Sequence, residues 1–255
     1  MSHAAVVRSL DWRYLAHMAA SAPLLPPPAW RVKPGLSDYR ETLAAMEAHV
    51  DNMSRGLAGE EIWLVEHPPV ITAGTRTSAA DLLQPDRFPV FETGRGGQFT
   101  YHGPGQRVIY PMLDLSARGR DVRRYVAALE SWAIAALADL GVAAGTSSAG
   151  TGIWVRDPVR PERQLKIGAI GVRVRRWVTF HGMALNVSTD LSHYDAIVPC
   201  GITLHGVTRL ADWNGAAGLS ALDCALHNNL PILLHSLSDA ESPPTKTLED
   251  ARDCS

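Results

Sequence analysis

Cysteine is scarce in this 255-residue chain: Cys200, Cys224 and Cys254 are the whole complement. Three cysteines cannot build a disulfide framework. They fit a reducing compartment, where the question is whether one thiol is reactive. Long apolar runs are missing too. Trp132–Leu140 is interrupted by Asp139, well short of the ~20 residues that a membrane span needs. No apolar N-terminal segment leads to a small-residue cleavage site, so the expectation is a cytoplasmic protein without membrane association. Neither sign of charge dominates. A net charge of −2 gives no general attraction for nucleic acid, and an acidic partner would have to be met by a local patch. The phosphate-loop pattern GxxxxGK[ST], a GxGxxG between strand and helix, HExxH and GxSxG are all absent, which disfavours mononucleotide, dinucleotide, zinc-protease and serine-hydrolase chemistry. Cys224 with His227 lacks the second half of a zinc site, and no metal is expected.

Glycine is concentrated in one place, between Glu92 and Asp114. Alternation over Gln98–His102 and the apolar run Val108–Met112 predict two strands. Gly103-Pro104-Gly105-Gln106 between them suits a type II turn, giving a glycine-rich hairpin. Gly96 and Gly97 have no Cβ, so a ligand could lie against the backbone there. A hairpin with no ligand fits the same spacing.

Residues 1–29 end in three prolines and read as a loosely held extension. A helix capped by Ser37 and ended by Gly56 follows, then strands at Glu61–Glu66 and Val70–Ala73 and a loop over Ser78–Pro89. Asp121–Leu140 is the strongest helix, with Val122, Val126, Leu129, Ala133, Ile134, Leu137 and Leu140 on one face. A strand over Gly152–Val155, an exposed turn over Asp157–Arg163, and a long hairpin of Leu165–Val174 with Trp177–Val187 come next. The last helix, Ser220–His235, is expected to kink at Pro231, and the Ser/Pro-rich tail to be disordered. Hairpins rather than strict strand–helix alternation imply an α+β architecture with a mixed, largely antiparallel sheet flanked by helices. The domain reading is therefore an extension over 1–29, one domain over 30–237 and a tail over 238–255.

Two residues carry chemical interest. Lys166 lies in the otherwise apolar Leu165–Gly171. A desolvated lysine loses proton affinity, whereas a strand-edge lysine simply faces water; spacing leaves both open. Cys200, between Pro199 and Gly201, belongs to a turn and is either a reachable thiol or an inert packed one. Cys224, amid Ala221, Leu222 and Ala225, reads as packed and inert. His102 and His181 each precede a glycine at a strand end, where they either line one cleft or serve as hydrogen-bonded structural histidines.

The run Arg95-Gly96-Gly97-Gln98-Phe99-Thr100-Tyr101-His102-Gly103-Pro104-Gly105-Gln106 closely resembles the signature of the lipoyl(octanoyl) transferases of the LipB type. Four further stretches agree in the family's order: Glu61–Pro69, Leu165–Arg173, Phe180–Val187 and Val198–Gly201. The match covers about residues 30 to 235. It departs mildly at Val198, where the family often has asparagine. The resemblance implies a fold like that of the biotin and lipoate protein ligases and a catalytic pair on Cys200 and Lys166. It also implies acyl-binding segments at Arg95, Gly96, Gly97, Gln98, Phe99, Thr100, Tyr101 and His102, at Ala169, Ile170 and Gly171, and at Gly182, Met183 and Ala184.

The implied reaction moves octanoyl from the phosphopantetheine of acyl carrier protein, through a cysteine thioester, to a lysine of lipoyl domains. Those domains belong to 2-oxoacid dehydrogenases and the glycine cleavage H protein, and the reaction is the first step of endogenous lipoylation. It needs no further cofactor, because a thioester is already activated and a thiol conserves that activation. A neighbouring lysine can stabilise the thiolate or take its proton. Arg173, Arg175 and Arg176, with Arg95, could meet an acidic carrier, or form a solvated face. The sequence is also compatible with an ATP-dependent lipoate or biotin ligase on the same scaffold, an amidotransferase working between carrier domains, and a non-enzymatic acyl-binding protein.

Overall fold

The computed structural model describes residues 25–198 and 206–238. In chain order the elements are β1 (Ala29–Leu36), α1 (Tyr39–Ser54), β2 (Glu61–Glu66), β3 (Val70–Ala73), β4 (Val90–Glu92), β5 (Thr100–His102) and β6 (Gln106–Met112). They continue with α2 (Val122–Asp139), β7 (Ala144–Gly145), β8 (Ile153–Arg156), β9 (Gln164–Arg175), β10 (Val178–Asn186), β11 (Gly206–Val207), α3 (Leu219–Asn228) and α4 (Leu230–Ser238).

The alternation in β2 shows how the layers form. Ile62 and Leu64 join the core under α2, α3 and α4, while Trp63 and Val65 pack on the other face against Met46 and Val50 of α1. A strand buried on both faces reads as a continuous apolar run, as Ile62-Trp63-Leu64-Val65 does. The large sheet runs β1-β2-β6-β10-β9-β8-β7, with β11 added to β9; a second sheet has the order β4-β3-β5. Only β1/β2, β11/β9 and β3/β4 are parallel among the named pairs. This is the α+β, largely antiparallel arrangement that the sequence predicts.

Several local expectations are corrected. Asp38, not Ser37, caps α1; its Oδ1 accepts from Glu41 N at 2.9 Å. The glycine-rich segment is not a hairpin, since β5 pairs with β3 in the small sheet while β6 pairs with β2 and β10 in the large one. The buried face of α2 carries Tyr125 and Trp132 rather than Val122, which is exposed. Pro231 does not kink one helix. It stands in the first turn of α4, where its missing N–H leaves no bond unmade. Cys224 is exposed, on the side of α3 opposite Leu222, Ala225 and Leu226. The tail from 239 and nearly all of the N-terminal extension lie outside the described residues.

The turn between the two sheets is as expected and is firmly held. Gln106 N donates to Gly103 O at 3.1 Å, and Gly105 has φ +77°. Gly105 N donates to Glu66 Oε2 at 2.8 Å, while its carbonyl accepts from Val187 N at 3.0 Å and Ser188 N at 2.9 Å. A Cβ there would stand 2.6 Å from Ser188 Oγ and 2.9 Å from Thr189 N. Gly105→Ala is therefore expected to cost about 2–4 kcal/mol, combining a left-handed backbone with a backbone clash. Urea unfolding measures it, and a loss below about 0.5 kcal/mol would mean the turn relaxes freely.

Candidate active site

Where the two sheets meet on the α1 side, a slot of about 480 Å³ opens, mouth included. Gly97, Gln98, Phe99, Thr100 and His102 form one wall, and Ala169–Gly171 and Gly182–Ala184 form the floor. Tyr39, Arg95, Val108, Tyr110 and His181 complete the lining. Twelve of the fourteen residues expected to bind acyl line it directly. Gly96 instead donates its N–H to Val172 O at 3.0 Å. Tyr101 points to the opposite face of β5, where its hydroxyl lies 2.7 Å from His193 Nδ1, as strand alternation between Thr100 and His102 requires. Tyr39, Val108 and Tyr110 were not anticipated, because nothing local in α1 or β6 marks them.

Beside the floor the β10–β6 pairing loosens without a change of register, since Met183↔Ile109 and the Thr179 N–Leu113 O bond keep the same offset. Pro111 in β6 has no N–H to give, and opposite it His181 takes φ +57°. Its own N–H turns to Met46 Sδ at 3.4 Å. Regular β10–β6 pairing runs from Met183↔Ile109 onward. Two glycines near the slot leave room for arginine side chains. A Cβ on Gly171 would stand 2.9 Å from Arg95 Cδ, and one on Gly94 would collide with the Arg173 guanidinium.

Arg95 is buried, and its guanidinium donates to Thr72 O (2.8 Å), Thr72 Oγ1 (2.7 Å), Gln98 O (3.0 Å) and Gly96 O (2.9 Å). It is no part of a carrier-facing patch. Arg175 bonds Asp51 and Glu47 of α1 at 3.0 Å each, and Arg173 lies 3.9 Å from Glu47. Beside Arg95, the slot histidines are held neutral. Burial, then His67, and further Arg95 and His181 push His102 down to about 3. Burial, then Arg95 and Arg173, do the same to His181. Burial likewise raises Tyr39 to about 12. His67 places Nδ1 2.7 Å from the Ser37 carbonyl and Nε2 2.8 Å from Tyr110 Oη. The carbonyl can only accept, so a neutral His67 carries its proton on Nδ1 and accepts from the tyrosine. His181 Nε2 is buried with no hydrogen-bond partner among the described residues.

Lys166 is buried rather than facing water, at 7% exposure. Its Nζ donates to Thr151 O at 2.9 Å and stands 5.0 Å from the Trp154 ring centre. On one edge Lys166 is in register with Trp154 of β8, and on the other with Val207 of β11. Three residues farther along the same strand, Ala169 begins the slot floor. Cys200 lies outside the described residues. Val198, before it, donates its N–H to Asp81 O at 2.8 Å, and Gly206, after it, pairs with Leu165. Among the described residues no group of three or more His, Cys, Asp and Glu side chains could hold a metal ion. No described helix is long and apolar enough to cross a membrane.

The fold and slot together define a domain of the lipoate ligase and transferase class. The family model described as "Lipoyl protein ligase A/B catalytic domain" matches residues 38–223. Among solved structures, a lipoate-protein ligase A bound with ATP superposes with TM-score 0.64 at 17% identity, covering 88% of this chain and 92% of that one. A bi-partite lipoate protein ligase of Thermoplasma acidophilum, described with its E2 lipoyl domain, gives 0.63 at 16% identity over 89% and 90%. An octanoyltransferase of Sphingopyxis alaskensis is 56% identical over 219 residues, 86% of this chain and all of that protein. The chain belongs to the LipB-type octanoyltransferase family, and its activity is octanoyl transfer.

The neutral histidines make stability depend on pH. A histidine depressed on folding binds its proton only in the unfolded chain between pH 6.5 and its folded value. Over that window the unfolded state holds more protons, so stability rises with pH and is lost on acidification. His102 and His181, both depressed to about 3, should each contribute a slope of about 1.4 kcal/mol per pH unit between pH 6 and 4. Urea unfolding across that range should show a shallower slope in His181→Asn, since asparagine tolerates the left-handed backbone. An unchanged slope would mean that His181 is not held neutral.

Proposed function

We propose that octanoyl is carried through a thioester on Cys200, with Lys166 moving the protons. The donor is octanoyl on the phosphopantetheine of acyl carrier protein, and the acceptor is a lysine of a lipoyl domain. In the first half-reaction the Cys200 sulfur attacks the donor carbonyl. A new sulfur–acyl bond forms, the carrier sulfur–acyl bond breaks, and the carrier leaves as its thiol. In the second, the acceptor amine attacks the acyl-enzyme, an amide forms and the Cys200 thiol is restored. One thioester replaces another, so neither a nucleotide nor a metal is needed, and a free thiol suits a reducing cytoplasm. Backbone N–H groups near Cys200 and the glycine segment hold the oxyanion. The eight-carbon chain lies along Ala169–Gly171 and Gly182–Ala184, under Phe99 and the Arg95–His102 wall. Residues 30–237 act as one catalytic domain.

The observation that carries this reading is the placement of Lys166: a buried amine on the strand that goes on to floor the slot. Soon after Cys200 in the chain, Gly206 pairs with Leu165 and Val207 with that same lysine, which supports a sulfur near the amine. The lipoyl-domain acceptor is supported by the Thermoplasma ligase, described together with its E2 lipoyl domain. Incubation with octanoyl-acyl carrier protein should leave one octanoyl equivalent on the intact mass, mapped to Cys200. Cys200→Ala should carry none and transfer at least about a thousandfold more slowly. Full transfer by Cys200→Ala would exclude the covalent route.

A further inference from the structure

One peptide unit links Lys166 to α2. Its Nζ donates to the carbonyl of Thr151 at 2.9 Å. The N–H of the same peptide, on Gly152, donates to Glu130 Oε1 at 3.0 Å. A trans amide points its C=O and N–H in opposite directions within one plane, so the ammonium and the carboxylate sit at opposite edges of the peptide. A carboxylate pulling on the N–H enriches the carbonyl oxygen in charge and strengthens the bond it accepts from Nζ. The geometry leaves little room to do otherwise. Gly152 has φ +140°, and a Cβ there would stand 2.5 Å from Lys166 Cε and 3.0 Å from Nζ. Glu130 comes from the middle of α2, a rigid element packed under the sheet by Leu129 and Ala133. Its carboxylate feels the lysine directly: burial raises its carboxyl, while the Gly152 N–H and Lys166 lower it.

We propose that Glu130 is a positioning residue for octanoyl transfer, fixing Lys166 through the Thr151–Gly152 peptide that lies between them. The inference rests on the reading of Lys166 as the proton-moving group. Glu130 touches neither the slot nor the acyl chain, so its removal should leave donor binding intact and let the lysine drift from its working position. Misplacement of a reacting group by about 1 Å can cost up to a hundredfold in rate.

Steady-state kinetics with octanoyl-acyl carrier protein and a lipoyl domain test this. Glu130→Ala is expected to lower kcat about ten- to a hundredfold, with the donor KM within about twofold of wild type. Glu130→Gln keeps an oxygen for the Gly152 N–H and should recover most of that loss, whereas Glu130→Met, of similar bulk but with no such oxygen, should not; a general packing role predicts recovery in both. If Glu130→Ala does not fold, Glu130→Met keeps the bulk without an acceptor and carries the same comparison. Wild-type kcat in the folded Ala or Met variant, or a Gln variant as slow as either, overturns the inference. A Lys166→Met control separates the two levels. Wild-type turnover there removes the role of the lysine itself, whereas loss there with wild-type kcat in the Glu130 variants sinks the role of Glu130 alone.

Discussion

The structure depends on a change of partner along β9. Over Gln164–Gly168 this strand is bonded to β8, and over Gly168–Arg175 to β10, with β11 taking the vacated edge at Leu165–Lys166. Leu165 and Lys166 are thus paired on both edges, and Ala169–Arg175 along the β10 edge. The first half therefore pins Lys166 among β8, β11 and Trp154, and the second half supplies the slot floor. One rigid segment thus carries both the amine and the bed for an acyl chain, and the spacing between them is set by strand geometry rather than by a loop.

The slot is kept in one electrostatic state by similar means. Arg95 is a buried cation whose named hydrogen bonds end on carbonyl and hydroxyl oxygens. The loss of water, reinforced by its field, keeps His102 and His181 uncharged, and burial keeps Tyr39 protonated against that field. A neutral wall suits an aliphatic chain, because charged imidazoles would bring water with them. The glycines that draw attention in the sequence serve this arrangement in part by leaving room for Arg95 and Arg173. Arginine stems, not ligand alone, occupy the space that the missing side chains leave.

Much of this was legible in the sequence. Ile62–Val65 and Val70–Ala73 read as strands because their burial is periodic or continuous, and their observed ends agree with the reading. The β9–β10 hairpin was legible for the same reason. A cleft shared by His102 and His181 was one of two readings left open, and the two do line one slot, although His181 stands inside β10 rather than at a strand end. What failed was whatever tertiary contact decides. β1 contains Pro34 and Gly35 and lies exposed at a sheet edge, so no alternation marks it. The rotation of α2 is set by Trp132 against Trp30 and α3, which no spacing within the helix reveals. Tyr39 and Tyr110 reach the slot from elements that look purely structural. The sheet exchange at Gly103–Gln106 was missed because a type II turn joins strands equally well within a sheet or between two.

The central claim is that an amine at Lys166 stands beside the thiol at Cys200, and thiol reactivity tests it most directly. Iodoacetamide alkylation at neutral pH, mapped by peptide mass to distinguish Cys200 from the exposed Cys224, should be at least about tenfold slower at Cys200 in Lys166→Met than in wild type, because a nearby cation favours the thiolate. Equal rates at Cys200 in the two proteins would place the lysine away from the sulfur and contradict the account.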